Sequence, residues 1–379
     1  MDKFLDFFQT GQERIVRRIQ QIVEIESPSR DEAGSRAVAG WIEEYVRGIA
    51  EDLQVERVPI EGFGEHLIIR AFESADKKPA LLLGHTDTVH PRGTKEINPT
   101  RIEDGRLYGC GSFDMKANVV LMLEVLRAFT QLNLAPPRPL TILLSCDEEI
   151  GSYSGREIVE REAAGAEFCL VCEPSAPGGK VKTGRKGTGM FRLKTHGIPA
   201  HAGLEPEKGA SAILEIAHQI QKLHKLNKLE KGTTVNVCTI AGGTTSNVIP
   251  SEAECEIDVR FTSMKEAERI RAAIKNLSAT DERVRIEIEG EINRPPMERS
   301  QSVVKLYEKA RKIAAEFDYE LGETQVGGAS DGNFVAALGV PVLDGLGVSG
   351  AGAHTLEEFI YVEDIPRRAA LLAKILLAD

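Results

Sequence analysis

The segment Leu81–Val89, with the sequence LLLGHTDTV, constrains the fold of this chain more than any other stretch. A short apolar run that changes abruptly to His-x-Asp is typical of a strand buried on both faces in a parallel sheet. Open α/β sheets place their sites beyond the carboxyl ends of such strands. His85 and Asp87 would share one face of the strand, where an aspartate can orient an imidazole that binds metal. The alternative is an ordinary hydrogen-bonded pair of His85 and Asp87. The residues further along the chain distinguish this pair from a metal site.

Strand-like and helical patterns alternate through the first half of the chain. A helix is expected at about residues 116–129, before the buried run LTILLS, and further apolar runs precede and follow it. Strand, helix, strand, helix is the signature of an α/β fold with a mostly parallel sheet. The predicted strands are Gln54–Pro59, Leu67–Phe72, Ala80–Gly84, Leu140–Ser145 and Phe168–Cys172.

The pattern changes in residues 187–294. Strands and helices there follow the order strand, helix, strand, strand, helix, strand, which describes a ferredoxin-like α+β unit of about a hundred residues. We therefore predict an inserted domain at 187–294, with 1–186 and 295–379 forming the domain that carries the chemistry. A chain of 379 residues suits two domains.

Charge and composition exclude several classes of function. The formal net charge is −11, and no Lys- or Arg-rich block offsets it, which argues against nucleic acid or an anionic membrane as partner. The first residues lack the pattern of a secretion signal, and no apolar run approaches the length of a membrane span. Six scattered cysteines suit buried reduced thiols better than a disulfide framework. These features predict a cytoplasmic protein with a small-molecule partner.

Further candidate metal ligands stand where predicted strands or helices meet loops. Two imidazoles and three carboxylates would satisfy a pair of divalent ions, with one carboxylate bridging them. Neighbouring side chains diverge, so one of two adjacent glutamates can bind metal while the other faces a bound water as general base. The candidates that join His85 are Asp114 in GSFDMK, Glu148 and Glu149 in CDEEIGS, Glu173 in CEPS and His354 in GAGAHT.

These residues belong to an ordered set of motifs that resembles a known family. The set is GHTDTV, GRLYGCGSFDMK, CDEEIGS, CEPS, GIPAHAG, SNVIP, DVRF, GGASDGNF and GAGAHT. It is similar to the motifs of the dinuclear zinc amidohydrolases of the M20 metallopeptidase group. That group includes glutamate carboxypeptidase, succinyl-diaminopimelate desuccinylase, acetylornithine deacetylase and aminoacylase. The resemblance covers nearly the whole chain.

The resemblance implies a zinc-peptidase-like catalytic domain with two Zn²⁺ ions per chain, or Co²⁺ or Mn²⁺ in their place. His85 and Glu173 would hold one ion, and Glu149 and His354 the other. Asp114 would bridge the two ions, with a cis peptide bond after it. The inserted domain would serve as the lid and as the surface through which a homodimer forms.

The resemblance also implies the roles of three residues that do not bind metal. Asp87 would orient the first imidazole, and Glu148 would act as the general base. His201 of the inserted domain would stabilise the oxyanion, in some family members from across the dimer.

Substrate contacts would come from Asn247 in SNVIP, Arg260 in DVRF and the backbone at Gly328 in GGASDG. The closest overall likeness is to the glutamate carboxypeptidase branch, whose substrates would be small peptides or N-acyl amino acids cleaved next to a free carboxylate. The alternative is an N-acyl-amino-acid deacylase of the acetylornithine deacetylase or succinyl-diaminopimelate desuccinylase type.

Two other interpretations account for part of the sequence. Gly328–Gly332 fits G-x-S-x-G, and Asp344 and His354 follow in the order of an α/β-hydrolase, but the spacing is too short for the intervening strand and helix units. A metal-stabilised scaffold without turnover is the other alternative. A scaffold of this kind would not explain Glu148, because a general base beside the ligands has no structural role.

Overall fold

A computed structural model describes residues 2–50, 53–74 and 76–378 of the chain. The chain divides into two compact units. The segment 187–294, for which the sequence predicts a separate domain, lies entirely in the second of them. The first unit contains Met1–Gly184, Arg299–Val326 and Ser330–Asp379, and the second contains Arg185–Glu298 and Gly327–Ala329.

Strands and helices alternate in the first unit, and the second unit has its own set. In the described residues the strands are β1 (Gln54–Ile60), β2 (Gly64–Ala71), β3 (Ala80–His85), β4 (Arg101–Glu103), β5 (Arg106–Tyr108), β6 (Leu140–Ser145), β7 (Phe168–Val171), β8 (Val181–Arg185), β9 (Gly187–His196), β10 (Thr234–Gly242), β11 (Glu252–Phe261), β12 (Arg285–Arg294), β13 (Glu323–Val326), β14 (Val342–Leu343), β15 (Gly350–Ala351) and β16 (Phe359–Tyr361). The α-helices are α1 (Lys3–Thr10), α2 (Gln12–Val23), α3 (Glu32–Arg47), α4 (Thr94–Ile97), α5 (Ala117–Gln131), α6 (Arg156–Ala164), α7 (Ala212–His224), α8 (Met264–Lys275), α9 (Gln301–Ala315), α10 (Gly332–Ala337) and α11 (Ile365–Leu377).

The central sheet of the first unit has the strand order β1-β2-β6-β3-β7-β14. Strands β6, β3, β7 and β14 are mutually parallel, whereas β1 and β2 form an antiparallel pair at one edge. All six residues of β3 are buried, because helices such as α5 cover the sheet. The predicted α/β fold with a mostly parallel sheet is confirmed, and the apolar run Leu81–Leu83 is its central strand.

The register of the parallel strands brings their carboxyl ends to one edge of the sheet. His85, the last residue of β3, pairs with Ser145, the last residue of β6. Leu83 pairs with Val171, the last residue of β7. The polar segments that follow these three strands therefore leave the sheet side by side, as the sequence predicts.

The second unit is an antiparallel sheet with two helices. Its strand order is β10-β11-β9-β12, and each neighbouring pair is antiparallel. This is the arrangement of a ferredoxin-like unit, as its element order predicts. Strand β11 alternates strictly, so that Ile257 and Val259 enter the core while Asp258 and Arg260 face the other side.

Several short strands of the first unit are not evident from the sequence. Strands β15, β16, β5 and β4 form a small sheet in which Phe359 pairs with Tyr108. Runs of two or three residues carry too little periodicity to be recognised, and the β16–β5 pair joins residues far apart along the chain. A tight turn at Glu103–Arg106 connects β4 and β5, with Asp104 and Gly105 in the left-handed conformation that such hairpins need.

Burial of the cysteines agrees with the sequence analysis. All six are free thiols, and five of them are buried, including the pair Cys169 and Cys172. Burial raises the pKa of both thiols of this pair, so the neutral thiol is favoured over a metal-binding thiolate. Among the described residues, no helix combines the length and the apolar character needed to cross a membrane.

Candidate metal centre

The predicted ligands lie on five separate loops of the first unit. His85 ends β3, Glu148 and Glu149 follow β6, and Glu173 follows β7. His354 lies on the loop between β15 and β16. Asp114 lies in an irregular turn before α5, and the peptide bond that follows it is cis, as the resemblance implies.

The His85 imidazole faces two carboxylates. Its Nε2 atom lies 3.2 Å from Oδ1 of Asp114 and 3.4 Å from Oε1 of Glu173. The other ring nitrogen, Nδ1, lies 3.0 Å from the backbone oxygen of Asp87, a distance at which an Nδ1 proton is donated to that oxygen. This hydrogen bond leaves Nε2 as the ring atom that faces the carboxylates, and Nε2 is the atom through which His85 would bind a metal ion.

The His354 imidazole faces a second pair of carboxylates. Its Nε2 atom lies 3.4 Å from Oδ2 of Asp114 and 3.2 Å from Oε2 of Glu149. The two oxygens of Asp114 are therefore directed at different imidazoles. This is the arrangement that a carboxylate bridging two metal ions needs.

His354 itself adopts a backbone conformation that is rare for its residue type. Its φ angle is +66°, in the left-handed region, which costs about 1–2 kcal/mol for a residue with a Cβ atom. Such conformations persist where the surrounding structure imposes them, often at functional sites. Here the left-handed turn directs the side chain towards Asp114 and Glu149.

The carboxylate of Asp87 organises the neighbouring loop rather than contacting the imidazole closely. It accepts backbone N–H groups from Glu148 at 3.1 Å and Glu149 at 3.2 Å, and the Ser29 hydroxyl at 2.6 Å. Its Oδ1 atom is 3.4 Å from the His85 ring, farther than the backbone oxygen of the same residue. Asp87 thus fixes both His85 and the two glutamates.

Glu148 and Glu149 occupy different positions, as adjacent residues in a turn should. A carboxylate oxygen of Glu148 lies within 4.8 Å of the potential metal-binding atoms of His85 and Glu173. A carboxylate oxygen of Glu149 lies within the same distance of those of His85 and Asp114. Glu149 forms an ion pair with His354. Both glutamates are therefore at the centre, and Glu148 lies on the His85 side of it.

The electrostatics of the centre are dominated by its carboxylates. Burial opposes the charged form of His85, but hydrogen bonds to the carboxylates of Asp114, Asp87 and Glu173 raise its pKa well above the usual value. Hydrogen bonds to Asp114 and Glu149 raise the pKa of His354 to about 10. Burial raises the pKa of Glu149. The shifts of the two imidazoles are expected where carboxylates surround an imidazole, and that of Glu149 where a carboxylate is buried.

Two observations show that the residues fit divalent metal ions. A tetrahedral ion with ligands at about 2.0–2.1 Å separates neighbouring donor atoms by about 3.3 Å, and the four imidazole–carboxylate distances are 3.2–3.4 Å. In addition, Oε1 of Glu149 is buried and has no hydrogen-bond partner. A buried carboxylate oxygen of this kind needs a cation.

The other predicted site residues belong to the second unit. His201 is exposed, and its Nδ1 atom accepts backbone N–H groups from Gly203 and Leu204, both at 3.1 Å. This contact places the ring proton on Nε2, which leaves Nε2–H as an outward donor. Asn247 is exposed on the neighbouring loop, where its backbone oxygen accepts the N–H of Ala202.

Arg260 and Gly328 also have local partners in the second unit. The Nε and Nη2 atoms of Arg260 donate to the Asp258 carboxylate at 2.8–3.0 Å, so one edge of its guanidinium is occupied. Gly328 is exposed, and its backbone oxygen accepts from Arg185 at 3.3 Å.

The serine hydrolase interpretation is wrong. Ser330 is buried, and its hydroxyl donates to Asp344 at 2.7 Å and accepts the N–H of Gly332. A nucleophile needs an imidazole within hydrogen-bond reach. His354 instead directs its Nε2 atom at Asp114 and Glu149.

Comparison with known proteins identifies the family. Residues 81–378 match the family model described as Peptidase family M20/M25/M40, and this span contains every predicted metal ligand. The chain belongs to this family. The resemblance inferred from the motifs is thereby confirmed, and so is the expectation of a hydrolase of the metallopeptidase class.

Individual M20 relatives are similar over nearly their whole length. The chain is 29% identical to carboxypeptidase G2 of Pseudomonas sp. (strain RS-16) over 378 residues, which cover 97% of this chain and 89% of the relative. It is 30% identical to succinyl-diaminopimelate desuccinylase of Dechloromonas aromatica, with 86% and 92% covered. The fold is similar to an M20 metallo-carboxypeptidase from Sulfolobus solfataricus, with a TM-score of 0.77, 17% identity and coverage of 96% and 98%.

Two residues that hold the centre of this M20 peptidase together are absent from the sequence prediction. Ser29 donates to Asp87, and the fully buried Asn118 accepts the N–H of Val348 at 2.8 Å and donates to the Phe113 oxygen at 3.2 Å. Neither lies in a motif with a chemical signature. An uncharged polar residue in the apolar helix sequence ANVVLML is the one signal that could have drawn attention to Asn118.

We expect Asp114→Asn to weaken divalent-metal binding by at least about a hundredfold, because both oxygens of Asp114 face imidazoles and an amide cannot bridge as a carboxylate does. Asp104→Asn, an exposed site in the β4–β5 turn, is the matched control. Metal content after dialysis and titration of the apoprotein with Zn²⁺ measure the effect. Equal affinity of the two variants would contradict the bridging position of Asp114.

Proposed function

We propose that this protein is a dinuclear zinc carboxypeptidase that cleaves an amide bond next to a free carboxylate in small peptides or N-acyl amino acids. The observation that carries the proposal is the Asp114 carboxylate, whose two oxygens face two imidazoles within two sets of acidic residues. Of the two relatives named above, carboxypeptidase G2 supports this branch of the family through its match to 97% of the chain.

Five side chains would hold the two ions. His85 and Glu173 would bind the first, His354 and Glu149 the second, and Asp114 both. Bound zinc lowers the pKa of a coordinated water towards neutrality and polarises a carbonyl group. Co²⁺ or Mn²⁺ are alternatives, since the same ligand types bind them.

Glu148 would move the proton in this reaction. Its carboxylate lies beside His85 and Glu173, whereas that of Glu149 pairs with His354. As general base it would take a proton from the attacking water, and it would then deliver this proton to the nitrogen of the leaving amine. Asp87 would hold the Glu148 backbone in place for both transfers.

We expect Glu148→Gln to lower kcat by about a hundredfold or more while the protein keeps its metal, because the amide preserves the shape and removes the proton acceptor. The measurements are steady-state kinetics together with metal content by elemental analysis. Loss of metal in this variant would make Glu148 a ligand, and wild-type kcat would remove it from catalysis. Asp114→Asn provides the comparison, since it should lose metal.

His201 would stabilise the oxyanion that forms as water attacks the amide. Its support is local: two backbone N–H groups hold Nδ1, so the neutral ring presents Nε2–H as a donor on an exposed loop. A donor of this kind acts on charge that develops only in the transition state.

We expect His201→Ala to lower kcat by about a hundredfold with little change in stability, whereas His224→Ala, an exposed histidine of the same unit, should leave kcat unchanged. Kinetics and thermal unfolding measure the two effects. If His201 acts across a dimer, a mixture of His201→Ala and Glu148→Gln chains should regain activity. Unchanged kinetics of His201→Ala would return this residue to a structural role.

The second unit would act as the lid and form a homodimer. Strand β10 is an edge strand of its sheet, and most of its residues are exposed. Ile240 on this strand and Leu214 on α7 are exposed by 57% and 58%. An exposed edge strand with apolar side chains is suited to pairing with a second copy.

Arg260 would bind the substrate carboxylate, with Asn247 and the Gly328 backbone contacting neighbouring groups. Asp258 occupies the Nε edge of the guanidinium and fixes its plane. The edge formed by the two terminal nitrogens would then be presented to the substrate, and a guanidinium binds a carboxylate there through two parallel hydrogen bonds.

We therefore expect an N-acyl amino acid to be cleaved and its methyl ester or amide to be cleaved poorly. Arg260→Lys should lower kcat/KM for the free acid by at least about tenfold, because lysine keeps the charge and loses the fork. Arg271→Lys, an exposed ion-pair residue on α8, is the control. Equal rates for acid and ester, or an unaffected Arg260→Lys, would contradict recognition of the carboxylate.

An N-acyl-amino-acid deacylase is the second candidate. The 30% identity with succinyl-diaminopimelate desuccinylase over 86% of the chain supports it. A panel of N-acyl amino acids and dipeptides assayed on the metal-loaded protein separates the two. Preference for acyl over peptidyl substrates would favour the deacylase.

A further inference from the structure

Glu358 is a fully buried carboxylate that has no part in the reaction proposed above. It directly precedes β16 and lies on the loop that carries His354. Its Oε1 atom accepts backbone N–H groups from Phe113 and Asp114, both at 2.8 Å, and its Oε2 atom accepts that of Gly111 at 2.9 Å. One side chain therefore binds three amides of the turn that presents the bridging aspartate.

Two further contacts complete this anchor. The Nε2 atom of His90, itself buried, lies 2.8 Å from Oε2 of Glu358. The backbone oxygen of Glu358 accepts the N–H of Gly109 at 3.2 Å. The main chain and the side chain of a single residue thus hold the turn from residue 109 to residue 114.

The turn has the form of an anion site, and Glu358 supplies its anion. Several N–H groups converge where Gly109 and Gly111 adopt positive φ angles, an arrangement that binds negative charge. Hydrogen bonds from amides to a carboxylate are stronger than those to a neutral acceptor. Without the carboxylate, buried N–H donors would lose their partner.

The position of Glu358 in the chain links two halves of the metal centre. His354 precedes it on the same loop, and Asp114 is one of the residues whose amide it binds. His354 Nε2 and Asp114 Oδ2 lie 3.4 Å apart, and they belong to the two segments that Glu358 joins. Displacement of either loop would change the spacing of donors around an ion.

We infer that Glu358 is a positioning residue of the metal centre, which fixes the Asp114 turn against the His354 loop and thereby sets the affinity for metal. The inference rests on the proposed function, since it assumes that Asp114 and His354 are ligands. A buried acid that only stabilises the fold is the competing explanation. The two differ in what a change at Glu358 does to metal binding and to the geometry around the ion.

Glu358→Gln is a sharp test, because both carboxylate oxygens accept N–H groups. Whichever way the amide turns, its NH₂ group faces a backbone donor. Glu357→Gln makes the same chemical change at an exposed neighbour and is the matched control. The probes are Zn²⁺ affinity of the apoprotein by competition with a chelator, the visible spectrum of the Co²⁺-loaded protein, and urea unfolding of the apoprotein.

We expect Glu358→Gln to weaken Zn²⁺ binding by about tenfold or more and to alter the Co²⁺ spectrum, with kcat reduced and KM nearly unchanged. Glu357→Gln should match the wild type in every measurement. Wild-type affinity and spectrum in Glu358→Gln, with lowered stability alone, would overturn the inference in favour of a purely structural role.

A second variant decides the matter if Glu358→Gln does not fold. His90→Leu removes one side-chain donor and leaves the carboxylate with its three backbone amides, so a smaller loss of Zn²⁺ affinity and a shifted Co²⁺ spectrum are expected. Wild-type behaviour of His90→Leu would then overturn the inference. A wild-type protein that binds no divalent ion contradicts the proposed function itself, whereas tight binding by both wild type and Glu358→Gln contradicts this inference alone.

Discussion

Five carboxylates and two imidazoles meet at one edge of the central sheet, and the repulsion between those carboxylates is the constraint on which the site depends. Asp87 and His85 are almost fully buried, where charge is costly unless it is compensated. The raised pKa values of both ligand imidazoles show how strongly the surrounding acids favour positive charge. Divalent cations would supply that charge, and the spacing of 3.2–3.4 Å between imidazole and carboxylate atoms fits them.

Two of the buried carboxylates in and around the centre hold the ligand loops through backbone amides. Asp87 accepts the backbone amides of Glu148 and Glu149, and Glu358 accepts those of the Asp114 turn. Each converts a loop that would otherwise be adaptable into one with a fixed spacing. The centre is therefore built from acids of two kinds, those directed at the imidazoles and those directed at the main chain.

The two units contribute different chemistry to the proposed reaction. The first unit holds the acids and imidazoles that would bind metal and move protons. The second unit presents the His201 imidazole, whose Nδ1 accepts backbone amides, and the Arg260 guanidinium, which Asp258 holds in plane. Donors of this kind recognise carboxylates and oxyanions, so the second unit is suited to reading the substrate and the first to cleaving it.

The sequence by itself determined the α/β fold, the ferredoxin-like order of the second unit and the family, because these depend on periodicity and on motifs that are local in the chain. It also named His85, Asp114, Glu149, Glu173 and His354, since acids and imidazoles at strand ends carry a chemical signature. The tertiary structure decided which atoms meet. Asp87 orients His85 mainly through its backbone oxygen, Ser330 is buried against Asp344, and Glu358 holds a turn more than two hundred residues earlier in the chain. The contact of Glu358 joins residues distant in sequence through backbone amides, which have no side-chain pattern to recognise.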